Sequence, residues 1–409
     1  MGILLAVILL LLVAEAGVFL LARYLRRDFQ WLILPRDHHP ELDAEGLQRF
    51  CDHGMDPELG WVRKPLTSKS EVGQNGTIVS YSINAHGARC NPGFDDRPGA
   101  IIAVGDSYTF CRQVNDDETW PHFLSRGLNV NVLNFGVGNY GLDQALLRLK
   151  RELPRSKSQV VVLGVVPETI CRIQAVWKHY SEYGNTFAFK PRFTLENGEL
   201  RLHPNLADSI DRYRNYRDFE GELQRLDRFY REKFLGDLLR FPYSYHLWRS
   251  ARRNVPLMLA LIRARLSKDE HTRRRPFQMV LERNNRLSAS LYRDRSSVDL
   301  FEALVREAAR VCQRAGAGFV FCMFPQLQDI GIMRTAGIFY QPVIDRLRND
   351  LTVIDLGPLL LEHGDVSRFY TDDAHGGHFS VEANRLVAAT VAPIAGGLLH
   401  PAISGASAW

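Results

Sequence analysis

Two short stretches hold the residue types that nucleophilic catalysis needs. The first is Val104-Gly105-Asp106-Ser107-Tyr108-Thr109. A serine hydroxyl is a weak nucleophile until a base takes its proton, and ligands of a parallel sheet meet it at the carboxyl ends of the strands. Gly105 permits a tight turn there, and the amides that follow can point at a developing oxyanion. An Asp-Ser pair after a strand can equally well cap a helix, so this motif alone decides nothing. The second stretch is Thr371-Asp372-Asp373-Ala374-His375-Gly376-Gly377-His378-Phe379-Ser380. It offers carboxylates and imidazoles together, as general-base catalysis requires. The same four side chains could ligate a cation. The acid–base reading is the one taken here, with no metal and no cofactor expected.

The elements around these stretches alternate. Ile101 to Val104 is a short apolar run ending in Gly105, the pattern of a buried parallel strand feeding a turn, and a helix is expected over Glu118 to Arg126. Further strands are expected at Val130 to Phe135, Gln159 to Gly164, Gly318 to Phe324 and Leu351 to Leu356. Helices are expected at Leu142 to Leu153, Val298 to Ala315 and Val381 to Ala395. Strand and helix in turn predict an α/β fold, a three-layer α/β/α sandwich on a doubly wound parallel sheet. The chain then divides into a membrane anchor at 1–27, a small β-rich lead-in at 28–98, a catalytic domain from 99–172 and 296–400, and a helical, aromatic and Arg-rich insertion at 173–295. Within the insertion, Phe219 to Leu239 reads as helical.

In this order and spacing the motifs resemble the SGNH/GDSL hydrolase superfamily, in its membrane-anchored bacterial form. Gly105-Asp106-Ser107-Tyr108-Thr109-Phe110 looks like its first block, Asn134-Phe135-Gly136-Val137-Gly138-Asn139-Tyr140-Gly141 like its second, and His378-Phe379-Ser380-Val381-Glu382-Ala383-Asn384 like its last. The resemblance implies Ser107 as nucleophile, His378 as base, and the Ser107 and Gly136 amides as oxyanion donors. Two features depart from it. The third block lacks the usual Asn and reads Gly164-Val165-Val166-Pro167-Glu168-Thr169-Ile170-Cys171-Arg172. Thr169 is the candidate replacement donor and Arg172 a candidate for binding a substrate anion; loss of a donor costs about 3 kcal/mol of transition-state stabilisation. The acid has two registers. Asp373 with His378 is preferred for its position before the last helix, and Asp372 with His375 is the alternative that fits the usual spacing of three.

Ile3 to Ala22 is apolar but for Glu15 and Gly17, long enough to cross a bilayer at about 1.5 Å per residue. It lacks the basic start of a cleaved signal peptide, so a single-pass inner-membrane protein is expected. Arg23, Arg26 and Arg27 favour a cytoplasmic catalytic domain, whereas the family resemblance points to the other side. The six cysteines are scattered and read as free thiols. A net charge of +5, with basic residues dispersed among acids, gives no ground for nucleic-acid binding. The run from Arg263 to Arg275 reads as a solvated helix face or a contact with anionic lipid or polymer. Aromatic residues after the third block, Trp177 and Tyr180 among them, are candidates for stacking on sugars, or else they form the insertion's own core. The activity expected is that of an O-acyl esterase on an envelope or exopolysaccharide. Acetyl transfer through the same acyl-enzyme, a lipid esterase or thioesterase, and an inactive binding module are the alternatives.

Overall fold

The structure, a computed structural model, describes residues 2–72, 77–371 and 377–399. It contains two compact units. One gathers residues 1–52, 174–190 and 205–284, and the other 53–173, 191–204 and 285–409. These units cut across the blocks read from the sequence: the N-terminal helix and residues 28–52 group with most of the insertion, while the hairpin Arg192–Glu196/Glu199–His203 groups with the sheet.

The larger unit is built on five parallel strands, β1 (Gly99–Gly105), β2 (Asn131–Asn134), β3 (Val160–Val165), β4 (Gly318–Met323) and β5 (Val353–Asp355). Their order across the sheet is 2-1-3-4-5. Every residue of β3 is buried, as a strand covered on both faces must be. The Leu142–Ser156 and Arg295–Arg314 helices pack together on one side of the sheet, and the Trp120–Leu128 and Val381–Leu398 helices pack together on the other. Spacing explains the first pair: Leu142, Ala145, Leu146, Leu149 and Leu153 recur at helical period and are all buried. The chain is therefore a three-layer α/β/α sandwich with a doubly wound sheet, as its alternation of elements predicts. In this strand order the direction of winding reverses between β1 and β3, and that crevice is where such sheets take their ligands.

The smaller unit contains the Gly2–Arg26 helix, long and apolar enough to cross a membrane. The helix expected over Phe219 to Leu239 is interrupted once, at Asp227, with Glu220–Leu226 before it and a π-helical turn, Tyr230–Phe234, running directly into Leu235–Asp237 after it. Asp227 causes the break. Its buried carboxylate accepts the Phe229 N–H (2.9 Å), which a continuous helix would commit elsewhere, and also the Val176 (2.7 Å) and Trp177 (3.0 Å) N–H groups of another segment.

Candidate active site

Strand β1 delivers the nucleophile turn. Gly105 adopts φ +153°, and a Cβ on it would sit 1.9 Å from the Gly164 carbonyl oxygen of β3, so the strand ends can close up only around glycine. Asp106 caps the Ser107–Phe110 helical turn, accepting from Tyr108 N–H (2.9 Å), and its other oxygen accepts from Val166 N–H (2.8 Å) at the end of β3. The carboxylate thus ties the two strands flanking the switch point. Burial pushes its pKa up, against the nearby Arg172 guanidinium.

Ser107 Oγ lies 3.0 Å from His378 Nε2, and both residues are largely buried. That is the distance over which an imidazole can take a hydroxyl proton. The histidine is held from several directions. Its carbonyl accepts from Thr371 N–H (2.7 Å), Tyr108 OH donates to Gly377 O (2.7 Å), and the Tyr108 ring lies 5.1 Å from the imidazole, centre to centre. Ser380 then caps the last helix through Ala383 N–H. Asp372, Asp373 and His375, the two candidate acids and the alternative base, lie outside the described residues.

The second loop is wedged against the nucleophile turn. A Cβ on Gly136 would fall 2.3 Å from Phe110 N and 2.7 Å from Thr109 C, so backbone meets backbone there. The Gly136 N–H donates to Asn134 Oδ1 at 3.0 Å. Trp61 holds the far end of the loop: its indole donates to Gly138 O (3.0 Å) and its carbonyl accepts from Tyr140 OH (2.5 Å).

Thr169 is fully buried, and its Oγ1 accepts the Leu142 N–H (2.8 Å) at the start of the next helix. Arg172, expected as an anion-binding residue, instead spends its guanidinium on protein groups, donating to Glu168 (2.6 Å) and Tyr140 O (3.2 Å) and lying 3.5 Å from Asp106. With a side chain this occupied and buried, it builds the loops and offers no open cationic surface. Trp177 and Tyr180 likewise present no face to a sugar. Both are fully buried, Trp177 stacks on Phe189 with 4.8 Å between centres, and together they belong to the smaller unit's aromatic core. The packing alternative read from the sequence fits these two residues.

Arg89 was not singled out from the sequence. It is 2% exposed and donates to Asp116 (2.7 Å) and to the carbonyls of Phe110 (2.7 Å), Cys111 (2.7 Å) and Val114 (2.6 Å). The chain it holds leaves the nucleophile turn in a left-handed conformation at Cys111 (φ 60°) and Gln113 (φ 74°), which costs about 1–2 kcal/mol per non-glycine residue. Gln113 in turn accepts a hydrogen bond from Thr371, at the foot of the histidine loop. No sequence signal short of an unexplained arginine in the lead-in, before an apolar strand, marks this role.

No protein-family model and no curated protein matches the chain. Among solved structures it is similar to a lipolytic G-D-S-L protein from Desulfitobacterium hafniense, at 10% identity over 73% of this chain and 98% of that one, with a TM-score of 0.33. It is similar to a lipolytic G-D-S-L family member from Veillonella parvula (10% identity, 72% and 96% covered, TM-score 0.33). It is also similar to the lipase/acylhydrolase from Enterococcus faecalis (12% identity, 74% and 97% covered, TM-score 0.35). The G-D-S-L structures among these bear the family name that the sequence motifs resemble. Likenesses this distant carry no argument about activity, which rests on the side chains above.

Proposed function

We propose that the chain is a membrane-anchored serine hydrolase of the SGNH/GDSL type that acts on ester bonds. The observation that carries the reading is the 3.0 Å approach of His378 Nε2 to Ser107 Oγ at the sheet's switch point. In this reading Ser107 Oγ attacks the ester carbonyl while His378 takes its proton. The same proton then goes to the departing alkoxide, leaving an acyl-serine. Water resolves the acyl-enzyme in an esterase, and a sugar hydroxyl in an acetyltransferase. Asp373 is the proposed acid that orients the imidazole. The Ser107 amide, first in its helical turn and so without an intrahelical acceptor, is the proposed principal oxyanion donor. The Gly136 amide joins it when it leaves Asn134, and the Thr169 hydroxyl, whose oxygen accepts the Leu142 N–H, is the proposed third donor.

Trp177 and Tyr180 are buried and offer no stacking face; an envelope or exopolysaccharide O-acyl ester is the proposed substrate, with a lipid ester as the alternative, and acyl release from each separates them. The full chain in detergent, treated with a fluorophosphonate probe and offered p-nitrophenyl acetate, is expected to be labelled at Ser107 and to turn over. Ser107→Ala and His378→Ala are each expected to lower kcat by about four orders of magnitude or more. A chain that neither labels nor turns over is a binding module instead, and labelling that persists in Ser107→Ala rejects this nucleophile. Acyl transfer to an oligosaccharide acceptor distinguishes transferase from esterase.

A further inference from the structure

The apolar N-terminal helix carries a single ionisable residue within its run, Glu15. A carboxylate in that setting is costly unless it is put to use. Here it accepts the backbone N–H of Tyr243 and of Ser244 (2.9 Å), and the Ser244 hydroxyl as well. Tyr243 and Ser244 open the Tyr243–Arg249 helix, which follows Pro242 and has no side-chain cap of its own. The first amides of a helix lack intrahelical acceptors, and in a water-free medium each unmet amide costs several kcal/mol. Glu15 therefore supplies the cap from a second helix, in the place where solvent would otherwise have to do so.

The contact continues along both helices. The Phe19 and Tyr243 rings lie 5.1 Å apart, and Ala22 and Leu25 share a core with Leu257, Met258 and Leu261 of the following Ala251–Leu266 helix. At its end the Arg265 guanidinium sits 3.9 Å from the Tyr24 ring, donates to Tyr24 O (2.8 Å) and pairs with Asp28 (2.6 Å). Residues 15 to 24 of a helix span about 14 Å, roughly half of a bilayer's hydrocarbon core of about 30 Å. Tyr24, Arg23, Arg27 and Arg265 make up the aromatic and cationic composition of a headgroup layer, and the Glu15 cap lies deeper by that distance. The outward surface of the capped segment is apolar and aromatic: Phe241 is 71% exposed, Trp248 75%, and Tyr245, Val255 and Leu259 are exposed beside Arg249 and Arg252. The N-terminal helix is itself exposed and apolar over Ile3 to Val13, on the N-terminal side of the Glu15 contact.

We propose that the segment from Phe241 to Leu259 is a second membrane element. It enters the near leaflet beside the N-terminal helix, is covered there by lipid acyl chains, and is tethered at depth by Glu15. This rests on the membrane-anchor reading of the N-terminal helix. Aromatic side chains exposed in a row next to arginines suit the acyl–headgroup boundary, where rings are buried and guanidinium groups reach water.

The test uses the full chain reconstituted into phosphatidylcholine/phosphatidylglycerol vesicles with or without brominated acyl chains, which quench tryptophan on contact. Trp31, Trp61, Trp120 and Trp177 are buried or half-buried, so Trp248 is the described tryptophan open to lipid. The expected result is strong quenching by brominated lipid that is lost in Trp248→Phe, a substitution at an exposed site that leaves folding intact. Retention of the chain in membranes after alkaline carbonate, with quenching unchanged by Trp248→Phe, overturns the proposal while sparing the anchor. Release by carbonate overturns the anchor reading, and this inference with it.

Discussion

Replacing Arg89 by Met keeps the buried aliphatic volume and removes the guanidinium, leaving the carbonyls of Phe110, Cys111 and Val114 and the Asp116 carboxylate without their donor. Hydrogen bonds to a charged donor contribute about 1.5–3 kcal/mol each when counted singly. Four such bonds overstate the loss, because the freed acceptors relax toward water and Asp116 can take up a proton. Breaking one side of a buried charged contact costs about 3–5 kcal/mol in practice. We expect a loss of about 4 kcal/mol, read as a fall in Tm of roughly 10 °C for a domain of this size. The left-handed stretch from Cys111 to Gln113 is the part released, and it supports both the nucleophile turn and, through Thr371, the histidine loop. Arg89→Met is therefore expected to lower kcat on p-nitrophenyl acetate with little change in KM, since Arg89 touches neither Ser107 nor His378. Arg89→Lys keeps a charge but offers a single ammonium to four acceptors, and should recover only part of either loss. Thermal melts in detergent and steady-state kinetics read both effects. A variant that melts within about 3 °C of the wild type, a difference of roughly 1 kcal/mol, with unchanged kcat would refute the clamp.

Gly136→Ala drives a methyl group into the backbone at Thr109 and Phe110, and should cost about 1–3 kcal/mol and most of the activity. Gly127→Ala, in a helix with open space around it, should instead stabilise by about 0.5–1 kcal/mol, a contrast that thermal melts resolve. Thr169→Val leaves the Leu142 amide without its acceptor and should destabilise by about 1–3 kcal/mol, whereas Thr169→Ser keeps the bond. Should Thr169→Val melt normally yet lose about a hundredfold in kcat, the residue is an oxyanion donor and its structural role is overstated. Burial raises the Asp329 carboxyl from its usual 3.8 to about 7. The folded state then holds a proton that the unfolded chain releases, so this group's contribution is greatest below pH 3.8 and is lost as pH rises through about 7. Asp329→Asn should raise Tm at pH 8, by up to about 4 kcal/mol of stability, and have little effect near pH 4. Equal shifts in melts at the two pH values would contradict this.

Much of the architecture was legible because it depends on local pattern. Apolar runs ending in glycine mark β1 and β3, and the leucine spacing of 142–153 marks a helix, although the fold buries residues 142–149 on every side; the marks are properties of a few adjacent residues. The Ser107 and His378 motifs were readable for the same reason. Their 271-residue separation was closed in the sequence only by resemblance, and the 3.0 Å contact needed the sheet to bring the two loops to one edge. The roles of the remaining residues were set by distant partners. Arg172 was a candidate for binding a substrate anion, and the fold adds the distant Tyr140 carbonyl and Asp106 to its neighbour Glu168; Trp177 read either as a sugar platform or as core, and Phe189 covers its face. Arg89 gave no local sign at all, since a guanidinium becomes a clamp only when four acceptors converge on it. Glu15 is the sharpest case: the sequence marks one carboxylate in an apolar helix, and only the packing of the 243–266 segment reveals whose amides it meets. Residue type determined which chemistry each side chain could perform, and the tertiary structure decided its partner, because burial and hydrogen-bond geometry belong to pairs of residues that the chain order leaves far apart.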